Sequence, residues 1–322
     1  MKLVLALALI VSSIIIINPA LADLKPYSID GDLSDWGITM ADLSNGLNNN
    51  ADSWKPDCQT CGDVDWIVED NLDPRYLSPS PEYPYRCTWN ADTHRWDYCV
   101  AGVHVTGTGQ NYQIYHEPLL KDTRTSPPRE YVPQPSGGEG WDIEALYFDD
   151  DEYFVYFGIV TSNTDDLGDL YLEVNGAGYG VILKDHDGLQ RGEIYKNPSW
   201  LTSNWAAKEN GDPIKTRVDP NNLGTKVSGA AIIVVKGPSD GVPSDNNYPN
   251  YIIEIKIDKR LIGSPPIDLQ GNIGYALTCG NDYIEKEVTY NYETIPEFGA
   301  IIIPMGIILG FFYYHRNKNK RE

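Results

Sequence analysis

The stretch Cys87-Thr-Trp89-Asn-Ala-Asp-Thr-His-Arg-Trp96-Asp-Tyr98-Cys99 sets two indoles and a phenol in a polar frame between two cysteines. Trp and Tyr rings stack on the apolar faces of sugar rings, and neighbouring Asn and Asp side chains can bond hydroxyls, so this mixture is one that binding sites use. Trp89, Trp96 and Tyr98 are therefore candidate ligand contacts, with Trp200 and Trp205 as a second pair. The competing reading makes the same rings a miniature hydrophobic core.

Acidic clusters are the other chemistry-bearing groups. Asp30, Asp32 and Asp35 share one short stretch, Asp149, Asp150, Asp151 and Glu152 another, Asp165, Asp166 and Asp169 a third, and Asp185-His186-Asp187-Gly188 a fourth. Calcium takes six to eight hard oxygens, which two converging acidic loops supply. Asp30, Asp32, Asp149 and Asp151 are the candidate ligands of a structural calcium ion. No EF-hand is present in the fourth cluster, because Gly188 stands at position four of that loop instead of six. Asp is also a preferred turn residue, which explains any one cluster without an ion.

Four of the five cysteines, Cys58, Cys61, Cys87 and Cys99, fall in one region. In an exported chain they are expected as disulfides, Cys58 with Cys61 and Cys87 with Cys99, although four cysteines allow three pairings. Cys58-Gln-Thr-Cys61 has zinc-knuckle spacing, but the second pair is separated by eleven residues, which argues against zinc. Gly62 in place of His after Cys61 excludes haem attachment, and Met40 alone remains as an axial methionine, so haem is not expected. Cys279 ends an apolar run and reads as a small buried hydrophobe. Gly237-Pro238-Ser239-Asp240-Gly241 matches G-x-S-x-G formally, yet a strand follows where a nucleophile elbow requires a helix. No HExxH and no paired-His spacing occurs. Nothing legible assembles a catalytic set, so a secreted hydrolase is the least favoured of three functions.

The elements that must carry these groups read as all-β. Short apolar or alternating runs punctuated by Gly, Asn, Asp and Pro predict strands beginning at Trp141, Glu152, Asp169, Tyr179, Val227, Tyr251, Asn272 and Ile284. EYFVYFGIVT, apolar on both faces, predicts a central strand; YIIEIKI predicts one packed face, Ile253, Ile255 and Ile257, and one facing water, Glu254 and Lys256. Short helical turns are expected at 200–207 and 258–262. The expected fold is a single β-sandwich, jelly-roll-like, over residues 23–294. Residues 45–139, rich in Pro, Asn, Asp and Tyr, read as an irregular, disulfide-stapled insertion packed on it.

The two ends address the chain. MKLVLALALIVSSIIIINPALA has one Lys, an apolar stretch and a small-x-small ending, and predicts a signal peptide over 1–22. The run from Phe298 to Tyr314 predicts a transmembrane helix, and Arg316, Lys318, Lys320 and Arg321 place its tip in the cytoplasm. Lys and Arg number 25 against 46 Asp and Glu, a net charge of −21. Without 1–22 and 298–322, 20 basic residues face 45 acidic ones, for −25. Such a surface repels nucleic acid and anionic lipid and suits cations and neutral ligands.

Pro296-Glu297-Phe298, the apolar run and the basic cluster together resemble the PEF-type C-terminal sorting signal of archaeal surface proteins, over 295–322. That resemblance implies recognition by a sortase-like processing enzyme and a home on the outer face of the cell membrane. Ser28-Ile29-Asp30-Gly31-Asp32-Leu33-Ser34-Asp35-Trp36, followed by Asp142–Phe157, resembles the opening and a later strand of carbohydrate-binding-module-family-9-like and DOMON-like sandwiches. This likeness specifies a fold more than an activity. The expected function is an exported, non-catalytic surface module that binds a polysaccharide or cell-wall glycan and is stabilised by calcium. The alternative is a self-associating envelope protein of a surface layer or sheath.

Overall fold

Apolar runs, alternating in some strands and continuous in the central ones, are separated by turns rich in Gly, Asn, Asp and Pro. In the computed structural model, residues 27–39, 56, 63–70, 89–90, 95–96, 103–108, 111–116, 139–207, 213–243, 249–280 and 282–294 are described. They contain seventeen strands and several short 3-10 turns, with no α-helix among them. The strands are β1 Asp65–Asp70, β2 Trp89–Asn90, β3 Arg95–Trp96, β4 Val103–Thr108, β5 Asn111–His116, β6 Ile143–Asp150, β7 Phe154–Thr161, β8 Leu170–Val174 and β9 Ala177–Val181. They continue as β10 Glu193–Lys196, β11 Trp200–Ala207, β12 Pro213–Val218, β13 Thr225–Ala230, β14 Ile232–Lys236, β15 Tyr251–Asp258, β16 Leu269–Ala276 and β17 Tyr283–Tyr290.

Every pairing between these strands is antiparallel. Seven strands form one sheet in the order β14-β15-β7-β6-β1-β4-β5, and six form another in the order β13-β10-β9-β8-β16-β17. One face of each meets the other across the main core. Phe148, Phe157, Ile253, Ile255 and Ile257 come from the first sheet and Leu170, Leu172, Val181, Ile273, Tyr275 and Val288 from the second. The architecture is thus all-β and sandwich-like, as the alternation implies. β7 lies between β15 and β6 and is buried along nearly its whole length, the central strand that EYFVYFGIVT predicts.

The sheets also have outward faces, and the first is closed. Trp66, Val68, Ala145, Tyr147, Tyr156, Val160 and Ile252 point away from the main core into a second one, capped by Tyr27, Leu33, Trp36 and Ile38. Trp36 is completely buried and Tyr27 stacks on it with ring centroids 4.3 Å apart. Burial of each such side chain contributes about 1.5–3 kcal/mol. The expectation that Glu254 faces water is corrected here. Glu254 lies fully buried under the N-terminal segment, where the backbone N–H groups of Asp30 and Gly31 donate to Oε2 at 2.9 and 2.5 Å and Trp36 Nε1 donates to Oε1 at 3.0 Å.

Three other expectations need revision. Residues 45–139 contribute β1, β4 and β5 directly to the seven-stranded sheet, so that part of the region is sandwich and not an addition to it. Residues 200–207 form strand β11, paired with β12, whereas 259–262 do form a 3-10 turn. The Val227–Lys236 run divides at Ala231, whose N–H donates to Gly192 O, so that β13 serves one sheet and β14 the other. No helix among the described residues is long and apolar enough to cross a membrane, and 1–22 and 295–322 lie outside those residues.

Candidate binding site

Among the described residues the outward face of the six-stranded sheet is the less covered one, and its floor is set by register. Tyr171 on β8 pairs with Gly180 on β9 and with Gly274 on β16, and Gly274 pairs with Glu285 on β17. One row across four strands therefore reads Gly, Tyr, Gly, Glu. The next row joins Gly178, Glu173, Asn272 and Glu287. Alternation puts Leu170, Leu172 and Val174 into the main core and leaves Tyr171 and Glu173 half-buried on the outer side. The β8–β9 turn is Asn175-Gly176, with both residues at positive φ, 50° and 73°, as a tight two-residue hairpin requires.

The glycines leave the Tyr171 ring lying across a clearing. A β-carbon at Gly178 or Gly274 would touch that ring at 3.6 or 3.8 Å. The Tyr171 hydroxyl donates to Glu173 Oε2 at 2.9 Å. Burial first, and then Glu173, push the phenol pKa up, so that it stays protonated and works as a donor.

Above this floor stands the β11–β12 hairpin. It docks through Asp169, whose N–H donates to Thr216 O at 2.9 Å and whose carboxylate accepts from Val218 N at 2.9 Å and Leu183 N at 3.3 Å. His186 Nε2 lies 2.9 Å from the same carboxylate and Nδ1 lies 3.3 Å from Asp187, itself 3.7 Å from Arg217. The bond to Asp169 is the chief reason that the imidazole pKa is raised. Val218 and Trp200 then sit on Gly180, where a β-carbon would collide with Val218 Cγ2. They join a small cluster with Ile182, Leu189 and Tyr195.

Docking brings two hairpin side chains onto Tyr171. Trp200 meets its ring nearly perpendicularly, centroids 5.6 Å apart at 85°, and the Lys215 ammonium lies 3.4 Å from the ring centre. The product is a half-exposed aromatic corner bordered by Glu173, Asn272 and Glu285. Such a corner offers flat apolar surfaces for stacking and oxygen and amide groups for hydrogen bonds.

Of the aromatic residues singled out in the sequence, Trp200 is in this corner. Trp205 lies on β11. Trp89 and Trp96 are direct cross-strand partners in the β2–β3 ladder, with Asn90 opposite Arg95. Tyr98, Cys58, Cys61, Cys87, Cys99 and the Pro296-Glu297-Phe298 motif lie outside the described residues. Cys279 packs, half-buried, against the main core, in keeping with its apolar reading.

The proposed calcium ligands each accept hydrogen bonds within the chain. Asp30 Oδ1 accepts from Asp32 N at 3.0 Å and Asp32 Oδ1 from Ser34 N at 2.9 Å, capping the 3-10 turn at Leu33–Trp36. Asp149 accepts from the Tyr27 hydroxyl at 2.5 Å and from Asp150 N at 2.8 Å. Asp151 Oδ1 accepts from the N–H groups of Tyr153 and Phe154 at 2.7 Å each, holding the β6–β7 turn, and Oδ2 accepts from the Tyr156 hydroxyl. Between Asp149 and Asp151, Asp150 pairs with buried Lys259 at 2.6 Å. Among the described residues no three His, Cys, Asp or Glu side chains converge as a metal site. The G-x-S-x-G segment is a 3-10 turn, Pro238–Asp240, leading on to β15, as its surroundings imply.

Tyr171 and Lys215 are not among the residues that the sequence alone singles out. The available signal was LYLEV before Asn-Gly, where the alternation already turns Tyr171 and Glu173 outward. No protein-family model, no curated protein and no solved structure matches this chain.

Proposed function

We propose that the chain is an exported, non-catalytic cell-surface module that binds a polysaccharide or cell-wall glycan on the outward face of its six-stranded sheet. The observation that carries this reading is the Tyr171–Trp200 corner, two rings at right angles above a glycine-lined floor with Glu173 and Asn272 beside it. A pyranose ring stacks its C–H face on one aromatic face while its hydroxyls reach the carboxylate and the amide. The leader-like N-terminus and the sorting-signal-like tail support display outside the membrane, with a sortase-like enzyme acting on the tail.

Retention of the full-length chain, in detergent, by immobilised polysaccharides tests the reading. Binding to one glycan class that Tyr171→Ala or Trp200→Ala abolishes supports it, and a chelator arm tests the expected calcium dependence. One observation favours the second reading, a self-associating envelope protein. β13 and β14 run in direct succession as edge strands of the two sheets among the described residues, and Ile232, which opens β14, is 57% exposed. Such an edge can template pairing with another strand. No glycan retention, together with reversible assembly on addition of calcium, would favour it.

A further inference from the structure

The Lys215 ammonium sits well inside the roughly 6 Å within which a cation is attracted to an aromatic face. Its seat has three other sides. Trp200 stands upright beside the Tyr171 ring, Glu173 is held to that ring's hydroxyl, and Glu285 lies in the same row across Gly274. Coulombic repulsion by Glu173 and Glu285 also helps to keep the phenol protonated, so both carboxylates place negative potential at this ring. An aromatic corner fringed by carboxylates is a receptor for a positively charged amine, and an amine already occupies it.

We propose that the ligand of the Tyr171–Trp200 corner is an amino-sugar polymer whose protonated amine takes the seat that Lys215 fills in this structure. The inference rests on the carbohydrate reading above and names the class of glycan. A protonated amino sugar presents both features the corner can use, an apolar ring face for the indole or phenol and an ammonium for the carboxylates. An acidic glycan would meet Glu173, Glu285 and Glu287 as well as the field of a chain of net charge −21. A neutral or N-acetylated sugar would stack without the charge. Lys215 is half-buried on a four-carbon stem on β12, and binding of the external amine requires that stem to swing aside. Its role is that of an internal competitor which sets the threshold for the external amine.

The test uses the full-length chain and two probes, a glucosamine tetrasaccharide and its fully N-acetylated counterpart, titrated calorimetrically at one pH and ionic strength. The wild-type chain is expected to bind the amine form at least about tenfold more tightly. Lys215→Met, which keeps the apolar stem and removes the charge, is expected to tighten binding of the amine form by about tenfold, with Lys215→Ala giving a change in the same direction. Tyr171→Ala should abolish binding of both probes. Equal affinity for the two probes, both lost in Tyr171→Ala, would leave the carbohydrate reading standing and overturn the amine. Weaker binding of the amine form by Lys215→Met would also overturn it, since Lys215 would then contact the ligand instead of competing with it. Binding of neither these probes nor any polysaccharide would overturn both readings.

Discussion

Each sheet turns an outer face away from the shared core, and the two faces are finished in opposite ways. On the seven-stranded sheet, Trp66, Tyr147, Tyr156 and Ile252 form an apolar surface that the segment from Tyr27 to Ile38 covers completely. A buried carboxylate, Glu254, ties that cover down with three hydrogen bonds. On the six-stranded sheet the equivalent positions are Gly178, Gly180, Gly274, Glu173 and Asn272, and the β11–β12 hairpin covers the Gly180 side and leaves Tyr171 half-exposed. Large apolar residues make a face into a second core. Glycines and polar residues around one aromatic ring keep a face available.

The largest effect that would break this comparison is on the closed face. Trp36→Ala removes a fully buried indole and one donor to Glu254 and should cost about 3–5 kcal/mol in chemical denaturation. Trp200→Ala, on the open face, should cost about 1 kcal/mol or less while removing ligand binding. Similar costs for both would mean that the open face is a core too.

The next effect concerns the hairpin. Gly180→Ala should destabilise by about 1–3 kcal/mol, because its methyl group meets Val218 and pushes β12 off the sheet, and Trp200 would leave Tyr171 with it. Loss of glycan binding with only partial loss of stability would sharpen the view that the hairpin is one wall of the site.

Acid–base behaviour separates the faces further. Burial pushes Glu254 up to about 7 and Asp35 up to about 6, with repulsion from Asp35 adding to the Glu254 shift, against ordinary values of 4.5 and 3.8. Folded values raised above unfolded ones mean that the protonated forms are favoured in the folded chain. The contribution is complete below the unfolded values and is lost as pH rises through the folded ones. Stability of the clasped face should therefore decline between about pH 4 and 7, by on the order of 3 kcal/mol for Glu254. Glu254→Gln should flatten that slope in denaturation curves collected across the interval. An unchanged slope would place the titration elsewhere.

The smallest effect is at His186, whose pKa is raised chiefly by the bond to Asp169. Its contribution is present below the ordinary histidine value and fades as pH rises through the raised one. A fall in the protection factor of the Val218 amide above that pH, beyond the intrinsic rise of exchange with pH and absent in His186→Gln, is the expected signature.

Much of the architecture was legible because it is written in local alternation. EYFVYFGIVT had to be central, and the runs from Asp169 and Tyr179 had to be strands, which Asn175-Gly176 joins as a hairpin. What escaped was long-range. β1 is six residues, DWIVED, in Pro- and Asp-rich surroundings, and only its pairing with β4 and β6 makes it a sheet strand. β11 contains Ala206 and Ala207 and reads as helical until β12 pairs with it. Glu254 looked solvent-facing because alternation gives the side of the sheet, not whether a second layer covers that side. The Asp and Gly residues of the Ser28–Trp36 stretch have a mechanical role, a turn in which the N–H groups of Asp30 and Gly31 hold Glu254. The site itself was half legible. Trp200 was visible as an aromatic residue, whereas Tyr171 and Lys215 become neighbours only when the hairpin folds back across β8.

The most direct measurement is binding of the full-length chain and two single variants, Tyr171→Ala and Trp89→Ala, to the glycan class that retains the wild type, with thermal unfolding recorded for each. Loss of retention in Tyr171→Ala at nearly unchanged unfolding temperature, with Trp89→Ala still retained, is the expected result. Retention by Tyr171→Ala together with loss in Trp89→Ala would contradict the account and move the site to the β2–β3 ladder.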